Sequence, residues 1–262
     1  CALTVIGNAQ DVLIGEIAHL SFGGYMLWVI VPVTLAMSTA YGVVYLLLRK
    51  NIYLPENSTL PTPPEDDTPL NTWRACKGVG ITCIIVVLFF TPLPRYLVAL
   101  TAAGLLLCSH HLQSRKVLER VDWQLLVLFI GLFVVVGAFH QSGMALKGVN
   151  YLKDAGVNLQ NPYILAITTG ILSNLINNSA AVMLLIKVVD LSNPLHGYVL
   201  ALSNTFAGNL FLIGSVANII VVQGAAQYDV KISFKDFAKY GIPTALASFA
   251  FLLFWIFLMT NI

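Results

Sequence analysis

Apolar residues in this chain come in blocks, and the block lengths predict helices of two kinds. Phe22 to Leu48 is long enough to cross a bilayer, which takes roughly 20 helical residues. Pro32, near the first third of that run, is tolerated there as a kink. Trp123 to Phe139 is the cleanest span, with Trp123 as an interface anchor and Arg115, Lys116 and Arg120 marking a water-facing loop before it. Ile242 to Met259 is the last span and follows the amphipathic stretch "KISFKDFAKYG". Other apolar runs are too short to cross. Residues 2 to 15 supply a half-helix, and Gly78 to Thr91 and Tyr96 to Ser109, parted by "PLPR", read as two short spans or one re-entrant unit. Residues 49 to 75 change character, with "NSTLPTPPEDDTP" offering almost nothing to bury, and form a solvated linker. Gln141 to Gln160 is Gly-rich and mixed, and reads as a surface helix or loop.

Composition agrees with that pattern. The chain is 58% hydrophobic and only 10% charged, with a mean hydropathy of +0.82. It has too few charges to cover a soluble globule and is a polytopic membrane protein, its partner being the lipid bilayer. A net charge of +2, with the basic residues in short loops, excludes a nucleic-acid partner. Cys76 and Cys83 share a helix face without zinc-ligand spacing and read, like Cys1 and Cys108, as reduced apolar fillers. Residue 1 is Cys rather than Met, and apolar sequence begins at once without a basic region, so the chain reads as truncated. An enzyme is not expected. No H-E-x-x-H or G-x-S-x-G pattern occurs, and the five histidines sit at segment ends as interface residues.

Against this apolar background, "SNLINNSAAVMLL" (173 to 185) places Asn174, Asn177 and Asn178 within five positions. A helical hairpin that dips to midmembrane must turn there, and the turn strands N–H and C=O groups that need partners. Ser173, Asn174, Asn177, Asn178 and Ser179 can supply them, whether as a ligand site or merely as caps. A second polar cluster, in "LSNTFAGNLFLIGSVANIIVV", brings Ser203, Asn204, Thr205, Asn209, Ser215 and Asn218. The start of the chain echoes it. "IGNAQDVLI" from Ile6 aligns with "IGSVANIIV" from Ile213, pairing Gly7 with Gly214, Asn8 with Ser215 and Asp11 with Asn218. The first copy is followed by an inward-running helix and the second by an outward-running one, the pattern of an inverted repeat with broken helices.

The predicted fold class is therefore an all-α polytopic membrane protein, an inverted-repeat transporter with a re-entrant helical hairpin and broken helices. Residues 1–48 end the first repeat, 49–77 form the linker and 78–262 form the second repeat. Within the second repeat the hairpin covers about 162–190, the broken helix about 197–223 and the last span 242–259. With the hairpin entering and returning, Arg49, Lys50, Arg74, Lys77, Arg115, Lys116, Arg120, Lys231, Lys235 and Lys239 share one side, against Arg95, Lys147 and Lys153 on the other. Positive charge marks the cytoplasmic side, so loop 49–77 is expected in the cytoplasm.

"SNLINNSAAVMLL", "GNLFLIGSVANIIVV" and "ALTVIGNAQDVLIG", with "VDWQLLVLFIGLFVVVG" between them, resemble the ion transporter superfamily. That group comprises the arsenite permeases, the NhaD-type sodium/proton antiporters, the citrate-type permeases and the divalent anion/sodium symporters. The nearest branch is the bacterial permeases called anion transporters, of which this chain would be the C-terminal two thirds. The resemblance implies a bacterial inner-membrane location and allows for a homodimer. It also implies that Ser173, Asn174, Asn177 and Asn178 form the second hairpin tip, that Asn204, Thr205, Gly214, Ser215 and Asn218 belong to the second broken helix, and that Gly7, Asn8 and Gln10 belong to the first. Family members usually carry Pro where Ala9 stands and Asn where Asp11 stands.

The chemistry favours an anion. Half-helix N-termini and amide donors suit a small inorganic or carboxylate anion, while freed carbonyls can hold sodium. The expected function is secondary active transport of such an anion with Na+ or H+ coupling and no other cofactor. The alternatives are a sodium/proton antiporter, an arsenite efflux permease and a non-transporting fragment. Asp11 carries the antiporter reading as an ionisable group at depth, unless it is a helix-end residue near water. Lys187, roughly 12 Å beyond Ser179 along a helix, is expected to snorkel to the outer interface.

Overall fold

Two Asn-Pro pairs fix where the central helices of the structure, a computed structural model, begin. Asn161 and Asn193 are in extended conformation, and the side-chain oxygen of each accepts from main-chain N–H groups of the first turn. The proline that follows each cap needs no donor at that position. The described residues are 2–49, 72–91, 93–107, 121, 123–144, 147, 156–226 and 230–261, and among them every regular element is helical. Most of the predicted linker, at 50–71, lies outside them, as do the loop carrying Arg115, Lys116 and Arg120 and much of the Gly-rich stretch before Gln160.

The elements are α1 (Ala9–Ile17), α2 (Phe22–Leu48), α3 (Thr72–Leu88), α4 (Arg95–Leu107) and α5 (Trp123–Gln141), then α6 (Pro162–Ile176), α7 (Asn178–Leu185) and α8 (Pro194–Ala207). A 3₁₀ turn (Leu212–Gly214), α9 (Val216–Ala226) and α10 (Phe234–Asn261) follow. They divide into two compact units, one of residues 1–59 and 132–262 and one of residues 60–131. In the smaller unit α3 and α4 pack together across the turn at Pro94, lining an apolar cleft with Ile81, Leu88, Leu97 and Ala102.

In the larger unit α2 and α10, of 27 and 28 residues, are long and apolar enough to cross a membrane, reaching about 40 Å each at 1.5 Å per residue. They pack on one another and leave large apolar residues such as Leu27, Met37, Leu246 and Phe254 exposed, as a lipid-facing surface requires. The amphipathic segment before the last span is not separate from it. Helix α10 starts at Phe234 because Ser233 and Asp236 form a reciprocal cap: the Asp236 N–H donates to Ser233 Oγ, and the Ser233 N–H and hydroxyl donate to Asp236 Oδ2. It continues through Pro243.

Helices α6 and α7 form a hairpin with a single non-helical residue, Asn177, at its apex. Gln160, just before α6, bonds to Val188 and Asp190, just after α7, so both arms return to one end. Helix α8 lies against both arms and against α1. The packing is apolar: Leu165, Ala166, Val182, Val199, Leu200, Leu202 and Ile14 are fully buried around it. Helix α1 spans only about 14 Å, half a bilayer.

Candidate functional site

The site is where the hairpin apex meets the break between α8 and α9. Asn177 sits at φ 85°, ψ 145°, a region that non-glycine residues rarely occupy. Its side-chain oxygen accepts from the Ser179 N–H at 3.1 Å, so one residue ends α6 and caps α7. Asn177→Ala removes the cap and keeps the strain, whereas Asn177→Gly loses only the cap. We expect alanine to destabilise by about 1–2 kcal/mol and glycine by a few tenths, the reverse of their order inside a helix, read from thermal unfolding of the detergent-solubilised protein.

Helix α8 ends at Ala207, and the chain resumes α-helix only at Val216, after a 3₁₀ turn and an extended Ser215. Side-chain amides hold the main-chain carbonyls that this break frees. Asn218 Nδ2 donates to Gly208 O at 2.7 Å and to Phe211 O at 3.4 Å. Asn174 Nδ2, from α6, donates to Ala207 O at 3.1 Å and to Gly170 O at 2.9 Å. Ser173 Oγ donates to Asn204 Oδ1 at 2.6 Å, both side chains being fully buried. Hairpin and broken helix are thus one polar network.

Glycines allow the close approach. A Cβ on Gly208 would lie 2.8 Å from Asn178 Nδ2 and 3.2 Å from the Ser215 Cβ, and one on Gly214 would lie 3.1 Å from Asn174 Oδ1. On α10, Gly241 lets the Asn209 carbonyl rest where a side chain would stand.

Helix α1 brings the remaining residues. Asp11 is 1% exposed and packs on α8, with the Thr205 hydroxyl beside its carboxyl and Asn8 Nδ2 donating to its Oδ2 at 3.3 Å. Asp11 thus stands in the first turn of α1 with its carboxyl buried. Asn8 occupies the N-cap position of α1 without making a capping bond, Gly7 closes the preceding turn onto Thr4, and Gln10 makes no side-chain hydrogen bond among the described residues. Lys187 is exposed, in the turn that follows α7.

Among the described residues seven buried side-chain atoms have no hydrogen-bond partner, and five belong to this cluster: Asp11 Oδ1, Asn174 Oδ1, Asn178 Oδ1, Asn204 Nδ2 and Thr205 Oγ1. Buried polar atoms are nearly always paired, by protein, water or ligand, so their concentration here marks the candidate site, in which the Thr205 hydroxyl and the Asp11 carboxyl are also close enough to serve each other. Four of the five are oxygens, able to accept from a proton donor or coordinate a hard cation. The amide on Asn204 is a donor for an anion. Gly208 is not among the residues that the sequence singled out, although a Cβ there would meet the hairpin tip, Ser215 and Thr205 together. A Gly directly after an apolar helix and before Asn209 marks it in the sequence, and its need for glycine is steric, since its backbone is right-handed helical at φ -59°, ψ -19°.

Comparison with known proteins adds the family. The profile described as "Citrate transporter" (CitMHS) matches residues 1–206. An uncharacterized transporter of Mycobacterium tuberculosis is 28% identical over 276 residues, covering 94% of this chain and 61% of its own length. A putative transporter, arsB, of Dictyostelium discoideum is 28% identical over 173 residues, covering 63% of this chain and 31% of its own length. The silicon efflux transporter LSI3 of Oryza sativa subsp. japonica is 28% identical over 189 residues, covering 63% and 37%. The chain spans about 61% of the length of the relatives it matches from end to end. With most of its residues inside that profile and transporters as its relatives, this integral membrane protein belongs to the citrate transporter family and is not an enzyme.

Proposed function

We propose that the chain forms the substrate-carrying part of a secondary active transporter that moves a small inorganic or carboxylate anion across the bacterial inner membrane, coupled to sodium or protons. The observation that carries this reading is the set of five unpartnered buried polar atoms where two interrupted helices cross. Donors at the cluster, the Asn204 amide and the starts of α7 and α9, suit the anion, while the four oxygens suit the coupling ion. The family profile named for citrate supports a carboxylate anion, and the relative named for silicon efflux supports an inorganic substrate.

In this reading α6–α7 is a re-entrant hairpin, α1 is the matching half-helix of an inverted repeat, and loop 49–77 faces the cytoplasm. The amide network makes the hairpin, α8 and the broken helix one body that rocks against the longer spans, giving alternating access.

The test is flux into proteoliposomes, with citrate, other carboxylates, phosphate, sulfate and arsenite offered under a sodium gradient, a pH gradient or neither. Flux of one anion driven by one gradient is expected. Cation-for-proton exchange without anion flux would replace this reading with an antiporter centred on Asp11, and Asp11→Asn would then abolish exchange. No flux of either kind would leave a non-transporting chain.

A further inference from the structure

At the other end of the hairpin from the site, one imidazole faces two carbonyl oxygens. His196, in the first turn of α8 and 7% exposed, has Nδ1 2.6 Å from Asp190 O and Nε2 3.0 Å from Gln160 O. A carbonyl only accepts. A neutral ring has one N–H and turns a lone pair toward the other oxygen, whereas a ring protonated on both nitrogens donates to both. The Gln160 side chain closes the same knot, its Nε2 donating to Val188 O at 3.4 Å and its Oε1 accepting from the Asp190 N–H at 3.0 Å. Lead-in to α6, exit from α7 and start of α8 therefore meet at one ring.

We propose that His196 is a positioning residue whose protonation clamps the hairpin arms to α8, so that the hairpin is held more tightly in acid than in alkali. Imidazole is the side chain that changes charge between about pH 5 and 8. The doubly protonated ring bonds both carbonyls, whereas the neutral ring bonds one. Helix α8 carries Asn204 and Thr205 at its far end, about 13 Å along its axis from His196, so the clamp sets how firmly the site's two halves move together.

The ionisable groups on the surrounding elements have mixed effects. Asp190 and Lys187 lie on the connection from α7, and hydrogen bonds from Ser192 hold the exposed Asp190 carboxyl below the usual carboxylate range. The lead-in to α6, residues 156–161, has no ionisable side chain. The α1–α2 turn, which packs on Gly197 through Ala18 and Leu20, carries His19, the last turn of α1 carries Glu16, and Tyr25 and Tyr198 stand between α2 and α8. The positive end of α8 opposes a cation. The proposal does not depend on which species is transported.

Hydrogen exchange of residues 186–193, measured in lipid nanodiscs at about pH 5.5 and about pH 8 and corrected for intrinsic exchange rates, tests it. The native chain should be roughly five-fold more protected in acid, the worth of one hydrogen bond. His196→Gln, whose amide donates at every pH, should remove that difference. Equal protection at both pH values in the native chain, or an unchanged pH difference in His196→Gln, overturns the proposal. If the variant fails to insert, nitrogen NMR of a chain keeping His196 as its sole histidine decides: two protonated nitrogens in acid support the clamp, and a neutral ring throughout overturns it.

Discussion

Asn218→Ala and Asn174→Ala are each expected to cut transport by at least about 30-fold while leaving an inserted, helical protein. Each Nδ2 holds two main-chain carbonyls, those of Gly208 and Phe211 for Asn218 and those of Gly170 and Ala207 for Asn174. Gly170 O lies within a helix, and Ala207 O and Phe211 O also accept from the Leu210 and Gly214 N–H groups, so Gly208 O is the carbonyl that depends on Asn218 alone among the described residues. Leaving a buried acceptor unpaired costs about 1–3 kcal/mol, and losing one of two bonds to a carbonyl about 0.5–1.5 kcal/mol, so the two bonds lost in each variant together reach the roughly 2 kcal/mol of a 30-fold change in rate. The control is Asn261→Ala, which removes a bond of similar length, 2.8 Å to Phe257 O, at the exposed end of α10 and should leave uptake unchanged. Wild-type uptake in both Asn174→Ala and Asn218→Ala would mean that the carbonyls at the break are not part of the transport site.

Gly208→Ala is the second variant with a large expected effect. Its methyl group would lie 2.8 Å from Asn178 Nδ2, 3.2 Å from the Ser215 Cβ and 3.3 Å from Thr205 O. Those three neighbours belong to the hairpin tip, the far side of the break and α8 itself, so no single side-chain rotation relieves the crowding. Overpacking of this kind costs about 1–3 kcal/mol. We expect a lower melting temperature and roughly ten-fold or greater loss of uptake. Gly42→Ala is the matched control: it is helical, has nothing within 4 Å of its added Cβ, and should stabilise by about 0.5–1 kcal/mol. A Gly208→Ala protein with normal stability and flux would show that the hairpin tip and the break do not need to touch.

Much of the local architecture is legible in the chain. Helix starts at Asn161-Pro162 and Asn193-Pro194 are written as cap and first-turn residue, and the 27-residue α2 is visible as an unbroken apolar run. The amide cluster marks its own turn, because a buried chain reversal needs side chains that satisfy main-chain groups. Other features left weaker marks. The reciprocal cap at Ser233 and Asp236 extends α10 well before its apolar stretch, so an amphipathic segment and a span are one helix. His196 is spaced along the sequence like an interface histidine, yet it is buried because Gln160 and the exit from α7 close over it.

The sequence by itself determined the solvent, the helical class and the places where helices break, since apolar run length, caps and buried amides act within a few residues of where they are written. Tertiary structure decided which of those breaks face each other. Ser173 bonds to Asn204 across 31 positions, and Asp11 is buried beside Thr205 from the opposite end of the chain. No local propensity encodes such pairs. They follow from α8 packing at once against α1 and both hairpin arms, an arrangement set by the fit of apolar surfaces such as Leu165, Leu200 and Ile14.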